Sequence, residues 1–390
     1  VSTLVRQHWQ ADLGAFGGRR ARQGFFYDAY VPDPIAGLDL HLPNDIAQIS
    51  AEAEEAIRAL NRVPARHGSL ESLARQLLRA ESVASSRIEG LSLSHRRLAK
   101  VAFSNDGSDV TAASVIANMR AMEEAVRLST TRRPLTVAGL QKLHRVLFEA
   151  FGGHSGGKLR EEQNWIGGAS SSPRDAEFVP PPPERVPALL KDLCAFLERD
   201  DLPAVVQAAI AHAQFETIHP FADGNGRVGR CLIHVVLRRR GVAPNYVPPI
   251  SLVLGSRSKA YVGGLGDYRA GRVMDWCGAF CSAARVASLS GERFAAKVEK
   301  LQQRWREQAG NPRADAAANR IIERLPAFPV LDVATAEGLA GCSNQAARLA
   351  LAQLEAGKVL GRVNVGKRNR VWEALGLFEL VDAFESALRR

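Results

Sequence analysis

Three features of the sequence predict a mostly α-helical protein. Apolar residues recur at three- and four-residue spacing along most of the chain, the β-prone runs are few and short, and the C-terminal stretch reads as helices around a turn followed by two brief strands. A chain of 390 residues has room for more than one core, and 46% hydrophobic with 24% charged residues is ordinary globular composition. No apolar run reaches the length of a membrane span, and the first residues lack a basic-then-apolar leader pattern, so a cytoplasmic protein with no membrane partner is expected. The formal net charge of +10 fits nucleic acid as a partner and equally fits a phosphate site in an arginine-rich chain. Cys194, Cys231, Cys277, Cys281 and Cys342 form no CxxC pair and read as small buried hydrophobes in a reducing compartment.

Residues 1–23, with Arg6, Gly14, Gly17, Gly18, Arg19, Arg20 and Arg22, show no period and read as a loosely held arm. A proline-punctuated extended piece follows over 25–34. From Asn44 the pattern is helical, carried by Ile46, Ile49, Ala53, Ile57 and Leu60. A second helix over 69–82 uses Leu70, Leu73, Leu77 and Leu78 and leads to Gly90, a residue suited to a C-cap. Further amphipathic helices cover 111–128 and 136–149. Two short β-prone runs, 164–168 and 177–181, flank a polar serine-rich turn and predict a hairpin. The proline run 180–183 stiffens the exit into a helix over 186–198, and the helix 203–216 delivers His219 to a loop.

The densest chemistry lies at 219–230, His219-Pro220-Phe221-Ala222-Asp223-Gly224-Asn225-Gly226-Arg227-Val228-Gly229-Arg230. Gly224 and Gly226 can take positive φ and expose backbone N–H groups, so with Asn225 they predict a nest for a phosphate. A helix expected from Arg230 to about Arg240 aims its N-terminal dipole at the same point. Arg227 and Arg230, three residues apart, can fork onto phosphate oxygens, and Asp223 is placed to hold a Mg2+ that bridges them. His219 is the nearby group able to take a proton from an attacking hydroxyl. His212, Glu216 and His219 could also share a helix face as metal ligands, but Pro220 pushes the residue before it out of helical geometry and argues against that triad.

These twelve residues match the Fic family signature HPFx(D/E)GNGRxxR at every specified position, and the chain resembles that family over about residues 25–290. The resemblance implies a Fic-type helical core whose hairpin is a flap over the active site, where a target segment registers by strand addition. It implies transfer of AMP from ATP to a Tyr, Thr or Ser hydroxyl of a protein, with self-modification among the outcomes. The nucleotide site then comprises Asp223, Gly224, Asn225, Gly226, Arg227, Val228, Gly229 and Arg230, with Asp175, Ala176, Glu177 and Phe178 on the flap. Tyr261 and Val262 stand where the family has a Tyr-Tyr pair beside adenine, and the valine departs from that pattern. Ser85, Glu89 and Gly90 resemble the inhibitory motif (S/T)xxxE(G/N), which implies a Glu89 carboxylate set against Arg230 in the family class whose inhibitory helix is N-terminal. Members that phosphorylate their targets have Ala-Asn-Lys where this chain has Gly224-Asn225-Gly226.

The implied organisation is an N-terminal helical segment over 1–110, a Fic core over 111–290, a linker helix over 291–312 and a winged helix-turn-helix over 313–390. Within the last, helices are expected over 316–324, 334–339 and 345–356, with Ser343 or Asn344 as a cap. Two strands around 364–369 form the wing, with Arg362, Lys367, Arg368 and Arg370; the facing helix offers Asn344, Gln345, Arg348 and Gln353. DNA contact through 343–370 and a docking or dimerising role both fit. Two function classes therefore stand, an adenylyltransferase and a DNA-binding regulator.

Overall fold

The computed structural model describes residues 2–10, 23–63, 70–104, 108–131, 133–149, 156–168, 172–364 and 370–389. It is mostly helical, as expected. Strands β1 (Thr3–Trp9) and β2 (Phe25–Val31) are followed by helices α1 (Asn44–Asn61), α2 (Leu70–Ile88), α3 (His95–Ser104), α4 (Val110–Ser129), α5 (Val137–Phe148), α6 (Val186–Phe196), α7 (Ala204–Ile218) and α8 (Asn225–Arg239). Next come α9 (Ile250–Ser256), α10 (Ser258–Arg269) and α11 (Val273–Gln308). The C-terminal region runs α12 (Ala317–Arg324), β3 (Val330–Leu331), α13 (Val333–Ala340), α14 (Asn344–Ala356), β4 (Leu360–Val363), β5 (Val371–Ala374) and α15 (Leu377–Arg389).

The core is built around α7, which is buried at every residue from Ala204 to Ile218. Its run of alanines, Ala208, Ala209, Ala211 and Ala213, lets neighbouring helices approach closely, and it has no polar face to give an amphipathic signal. Alongside it α8 is buried from Asn225 to Leu237. Leu140, Leu143 and Leu147 of α5, Leu190 and Leu193 of α6, and Trp276 and Phe280 of α11 close the same apolar cluster.

Three expectations need correction. Residues 3–9 are a strand paired antiparallel with β2 in the register Leu4↔Tyr30 to Trp9↔Phe25, not part of a loose arm. Alternation across Val5, Gln7 and Trp9 was the available signal, but polar neighbours on both faces hid it. Gly14, Gly17, Gly18, Arg19, Arg20 and Arg22 lie outside the described residues. Secondly, the helix expected from residue 291 as a linker is the second half of α11, a continuous helix of 36 residues. It does not span solvent: Phe294 and Val298 pack with Leu73 and Leu77 of α2, and Leu301 and Trp305 enter the C-terminal core. Gly291, the expected start of the linker helix, sits where a Cβ would lie 3.3 Å from the Leu60 side chain. Thirdly, α3 and α15 carry no place in the sequence reading, because α3 is a short, net-polar segment and α15 follows directly on the strands.

In the C-terminal region the three strands form an antiparallel sheet in the order β3-β5-β4. The side chain of Asp332 caps α13, Gly341 ends it at φ 57°, and the Ser343 side chain caps α14 by accepting from the Ala346 N–H. The two last strands flank residues 364–369 rather than occupying them, and Lys367 and Arg368 lie outside the described residues.

Candidate active site

His219 is presented by the end of α7. Its backbone takes the left-handed conformation, φ 50° and ψ 60°, and its N–H donates to the Phe215 carbonyl at 2.9 Å, so it closes the helix instead of continuing it. The face shared by His212 and Glu216 therefore loses His219, and no group of three metal-ligating side chains occurs among the described residues. His212 serves another purpose, with Nε2 lying 2.9 Å from the Tyr261 hydroxyl. The Nδ1 of His219 lies 3.3 Å from the Glu216 carbonyl, which can only accept, so Nδ1 carries the proton and Nε2 keeps a lone pair. Burial pushes the imidazole pKa down to about 4, and the Arg160 and Arg269 charges act in the same direction. At neutral pH the ring is an uncharged base.

Arg160 holds the backbone beneath this histidine. Its Nε donates to the His219 carbonyl at 2.8 Å, its backbone N–H donates to the Pro220 carbonyl at 2.9 Å, and its guanidinium also reaches the Pro181 carbonyl at the foot of the hairpin. The next turn closes on itself: the Asn225 side chain accepts from the Phe221 N–H at 2.9 Å and donates to the Phe221 carbonyl at 2.8 Å. Phe221 stacks on His144 at 3.9 Å and 11°, and His144 Nε2 donates to the Asp223 carbonyl at 3.0 Å while its Nδ1 accepts from Gly157.

The anion cradle differs from the expected nest. Helix α8 starts at Asn225, five residues before Arg230, and only Gly224 has positive φ, at 75°. A Cβ there would also meet Phe148 at 2.9 Å and Leu147 at 3.0 Å. Gly226 is helical, and what requires glycine at that place is the Glu89 carboxylate, which occupies the space of a Cβ. The cradle is therefore the N-terminus of α8 itself, whose first N–H groups have no partner within the helix. Val228 and Gly229, expected in the nucleotide run, face inward: Val228 is fully buried in the core, and a Cβ on Gly229 would collide with the Glu216 carboxylate.

Arg227 is buried and donates to the Ser114 hydroxyl at 2.9 Å. Arg230 is only 1% exposed, with Nε on the Ser85 hydroxyl at 2.8 Å and Nη2 on the Ser85 carbonyl at 3.0 Å and the Glu89 carboxylate at 2.7 Å. Ser85 and Glu89 are one helical turn apart at the end of α2, and Gly90 follows at φ 82°. Burial alone would raise the Glu89 pKa. The charge and hydrogen bond of Arg230 outweigh it, with Arg227 and His219 adding, and hold the carboxyl below its ordinary value.

Glu216 is the second carboxyl near Arg230. It is buried, its Oε1 has no hydrogen-bond partner among the described residues, and burial pushes its pKa up to about 7. The folded chain thus keeps a proton that the unfolded chain releases above about pH 4.3, so this group's stabilising contribution is lost as pH rises through about 7. Glu216→Gln is expected to lose less stability between about pH 5 and about pH 8 than the parent, read from denaturant midpoints. Equal losses would mean that Glu216 is already ionised in the fold.

The expected hairpin is present as a single bridge, with the Ile166 N–H donating to Phe178 at 2.8 Å and the Phe178 N–H donating back at 3.2 Å. Asp175 takes φ 61° in the turn beside Ala176, and the Glu177 side chain lies against Gly167. Phe178 has Arg269 over its ring at 4.0 Å and Tyr30 at 5.9 Å, while the Tyr30 N–H donates to the Val179 carbonyl at 2.9 Å. The hairpin is thereby tied to β2. Tyr261 is buried against His212 and Trp276, whereas Val262 is 53% exposed and stands apart from that cluster. Asp223 keeps an exposed carboxylate at the mouth of the cradle, 3.9 Å from Arg227. One carboxylate beside a phosphate cradle suits Mg2+, which takes few protein ligands and completes its shell with substrate phosphates and water.

Sequence reasoning assigns no role to Ser114, His144, Arg160 or Arg269. Each meets the site from a distant segment, and no local spacing marks them.

Comparison with known proteins adds to this geometry. A family model described as "Fic/DOC family" matches residues 134–237, and one described as "Fic/DOC family N-terminal" matches residues 48–127. Protein adenylyltransferase fic-1 of Caenorhabditis elegans is 30% identical over 149 residues, 36% of this chain and 27% of that protein. A probable protein adenylyltransferase of Aquifex aeolicus (strain VF5) is 46% identical over 68 residues, 17% of this chain and 21% of that protein. The chain thus spans less than a third of the length of either relative. A Fic family protein from Desulfovibrio desulfuricans G20 shares the fold at TM-score 0.54 and 22% identity, over 86% of this chain and 98% of that one. Signature, paired family models and helical core agree: residues 48–127 and 134–237 match the N-terminal and Fic regions of the Fic/DOC family, and the fold is the one a Fic family protein adopts.

Proposed function

We propose that the chain is a protein adenylyltransferase, held inactive at rest by Glu89. The observation that carries this reading is the Glu89 carboxylate at 2.7 Å from Arg230, at the cradle that the helix N-terminus and Gly224 form beside a neutral His219. A target hydroxyl gives its proton to His219 Nε2 while its oxygen attacks the α-phosphorus of ATP. The bond between the α-phosphorus and the bridging oxygen breaks, and pyrophosphate leaves with that oxygen. The first N–H groups of α8 hold the phosphates, and Arg227 and Arg230 balance the charge that gathers on the leaving group. Mg2+ bound with ATP would add its charge on the same oxygens, with Asp223 as the protein ligand.

With Glu89 in place, Arg230 is already neutralised, and a γ-phosphate meets a carboxylate where it needs a cation. Incubation of the Glu89→Gly variant with ATP labelled at the α-phosphorus tests the proposal, because label on the chain or on a lysate protein is expected from α-labelled and not from γ-labelled ATP. Transfer from γ-labelled ATP would make it a kinase.

A second reading is favoured by the C-terminal region, where α13, α14 and the β4–β5 pair have the order of a winged helix-turn-helix. Arg348, Arg362 and Arg370 line one cavity of about 520 Å³ together with Trp372. Phosphate-backbone contact there would engage DNA through residues 343–370 of the sequence, of which 365–369 lie outside the described residues. Replacing Lys367, Arg368 and Arg370 by alanine is expected to flatten the salt slope of DNA binding by up to about three units. An intact chain without salt-dependent DNA binding at low ionic strength would leave this surface a docking or dimerising role.

A further inference from the structure

The helix that carries Ser85 and leads to Glu89 is gripped at both ends by the C-terminal region. Near the start of α2 the Ser72 hydroxyl donates to the Glu323 carbonyl at 2.9 Å, the Gln76 amide donates to the Pro326 carbonyl, and Arg79 donates to the Ala327 carbonyl at 3.2 Å. All three carbonyls lie at the end of α12 or just beyond it. At the other end stands Glu385 of α15, only 4% exposed, which accepts from Arg87 at 2.8 Å and from His95 Nε2 at 2.6 Å. Phe384 beside it stacks on Phe294 of α11 at 4.6 Å.

The placement of these partners matters. Arg87 comes two residues before Glu89, in the last turn of α2, and His95 is the first residue of α3. One buried carboxylate therefore joins the two sides of the turn 89–94, the turn from which Glu89 reaches Arg230. Burial by itself would raise the Glu385 pKa, but His95 and Arg87 bring it down to about 2, so the carboxylate is charged at neutral pH. Removing the Glu385 carboxylate leaves Arg87 without its counter-charge and His95 without its acceptor, and the turn loses its anchor.

We propose that Glu385 is a positioning residue for autoinhibition: by tying Arg87 to His95 it fixes the turn that presents Glu89 to Arg230, and it makes the state of the catalytic arginine depend on the seating of the C-terminal region. Glu385 touches neither nucleotide nor reacting atoms and acts through Glu89. The inference rests on the reading of Glu89 as the inhibitory carboxylate. A ligand on the C-terminal region that moves α15 would thereby release the end of α2 that Glu385 holds.

The experiment uses the full chain and α-labelled ATP, reading initial self-labelling rates across ATP concentrations. Glu385→Ala is expected to label itself about tenfold faster than the parent, with a lower KM for ATP as well as a higher kcat. Arg87→Ala removes one arm and leaves the buried His95 pair, so it is expected to act in the same direction and decides the matter if Glu385→Ala fails to fold. In a Glu89→Gly background neither substitution is expected to change the rate, because the group they position is gone. A variant that only loosened the fold would lower the rate, and thermal unfolding of each variant reports that loosening separately. If Glu89→Gly is activated while Glu385→Ala and Arg87→Ala label at the parental rate, the positioning role is overturned and the autoinhibition stands. If Glu89→Gly is not activated either, both fall together.

Discussion

His219→Ala is expected to lower AMP transfer by at least about 10²-fold while leaving ATP affinity within a factor of about two. The imidazole is half-buried at the end of α7, and its Nε2 carries the lone pair that the proposed mechanism would offer to the target. In the proposed mechanism the phosphates would be held instead by the α8 N-terminus and two arginines, so binding and proton removal would reside in different groups. The low pKa adds a second reading of the same residue. A base with a pKa of about 4 stays deprotonated through the neutral range, so kcat/KM is not expected to fall on this account between about pH 8 and about pH 6. It falls only as pH drops toward 4 and the ring takes a proton from solvent. The comparison uses a Glu89→Gly background, where the parent rate is high enough to measure a large loss. Full activity in His219→Ala would show that another group removes the proton.

How much of this site is legible in the sequence follows from what is local. The signature brings His219, Asp223, Gly224, Asn225, Arg227 and Arg230 together within one turn and one helix start, so spacing alone carries their chemistry. The helix start was misplaced because glycine reads as a breaker. Gly226 is helical, and its reason for being glycine is a carboxylate 137 positions earlier in the chain, which no periodicity can reveal. The same holds for His144 under Phe221 and Ser114 against Arg227, ordinary helix residues until the tertiary fold aims them at the loop. Helix α7 shows the other limit: burial on every face erases the amphipathic signal, and its identity rested on its apolar spacing and on the histidine at its end. The second half of α11 was legible as a helix but not as a packed one, because its apolar face is thin and its partners come from α2 and the C-terminal sheet region.

Glu89→Gly is expected to raise self-modification by roughly 10²-fold, the rate equivalent of losing one charge-assisted contact worth about 3 kcal/mol. The geometry behind this figure is a single carboxylate oxygen on Nη2 of an arginine that is 1% exposed and otherwise bound to Ser85. Removing the carboxylate leaves Nη2 with the Ser85 carbonyl and frees a charge at the cradle for the γ-phosphate. It also empties the space over Gly226 that the carboxylate fills, so the gain has a steric as well as an electrostatic part. Arg230→Ala is expected to be inactive with or without Glu89, since it removes the group for which inhibitor and substrate compete. A folded Glu89→Gly protein no more active than the parent, assayed with ATP and Mg2+, would break the autoinhibition reading and leave His219 and the α8 cradle as they are.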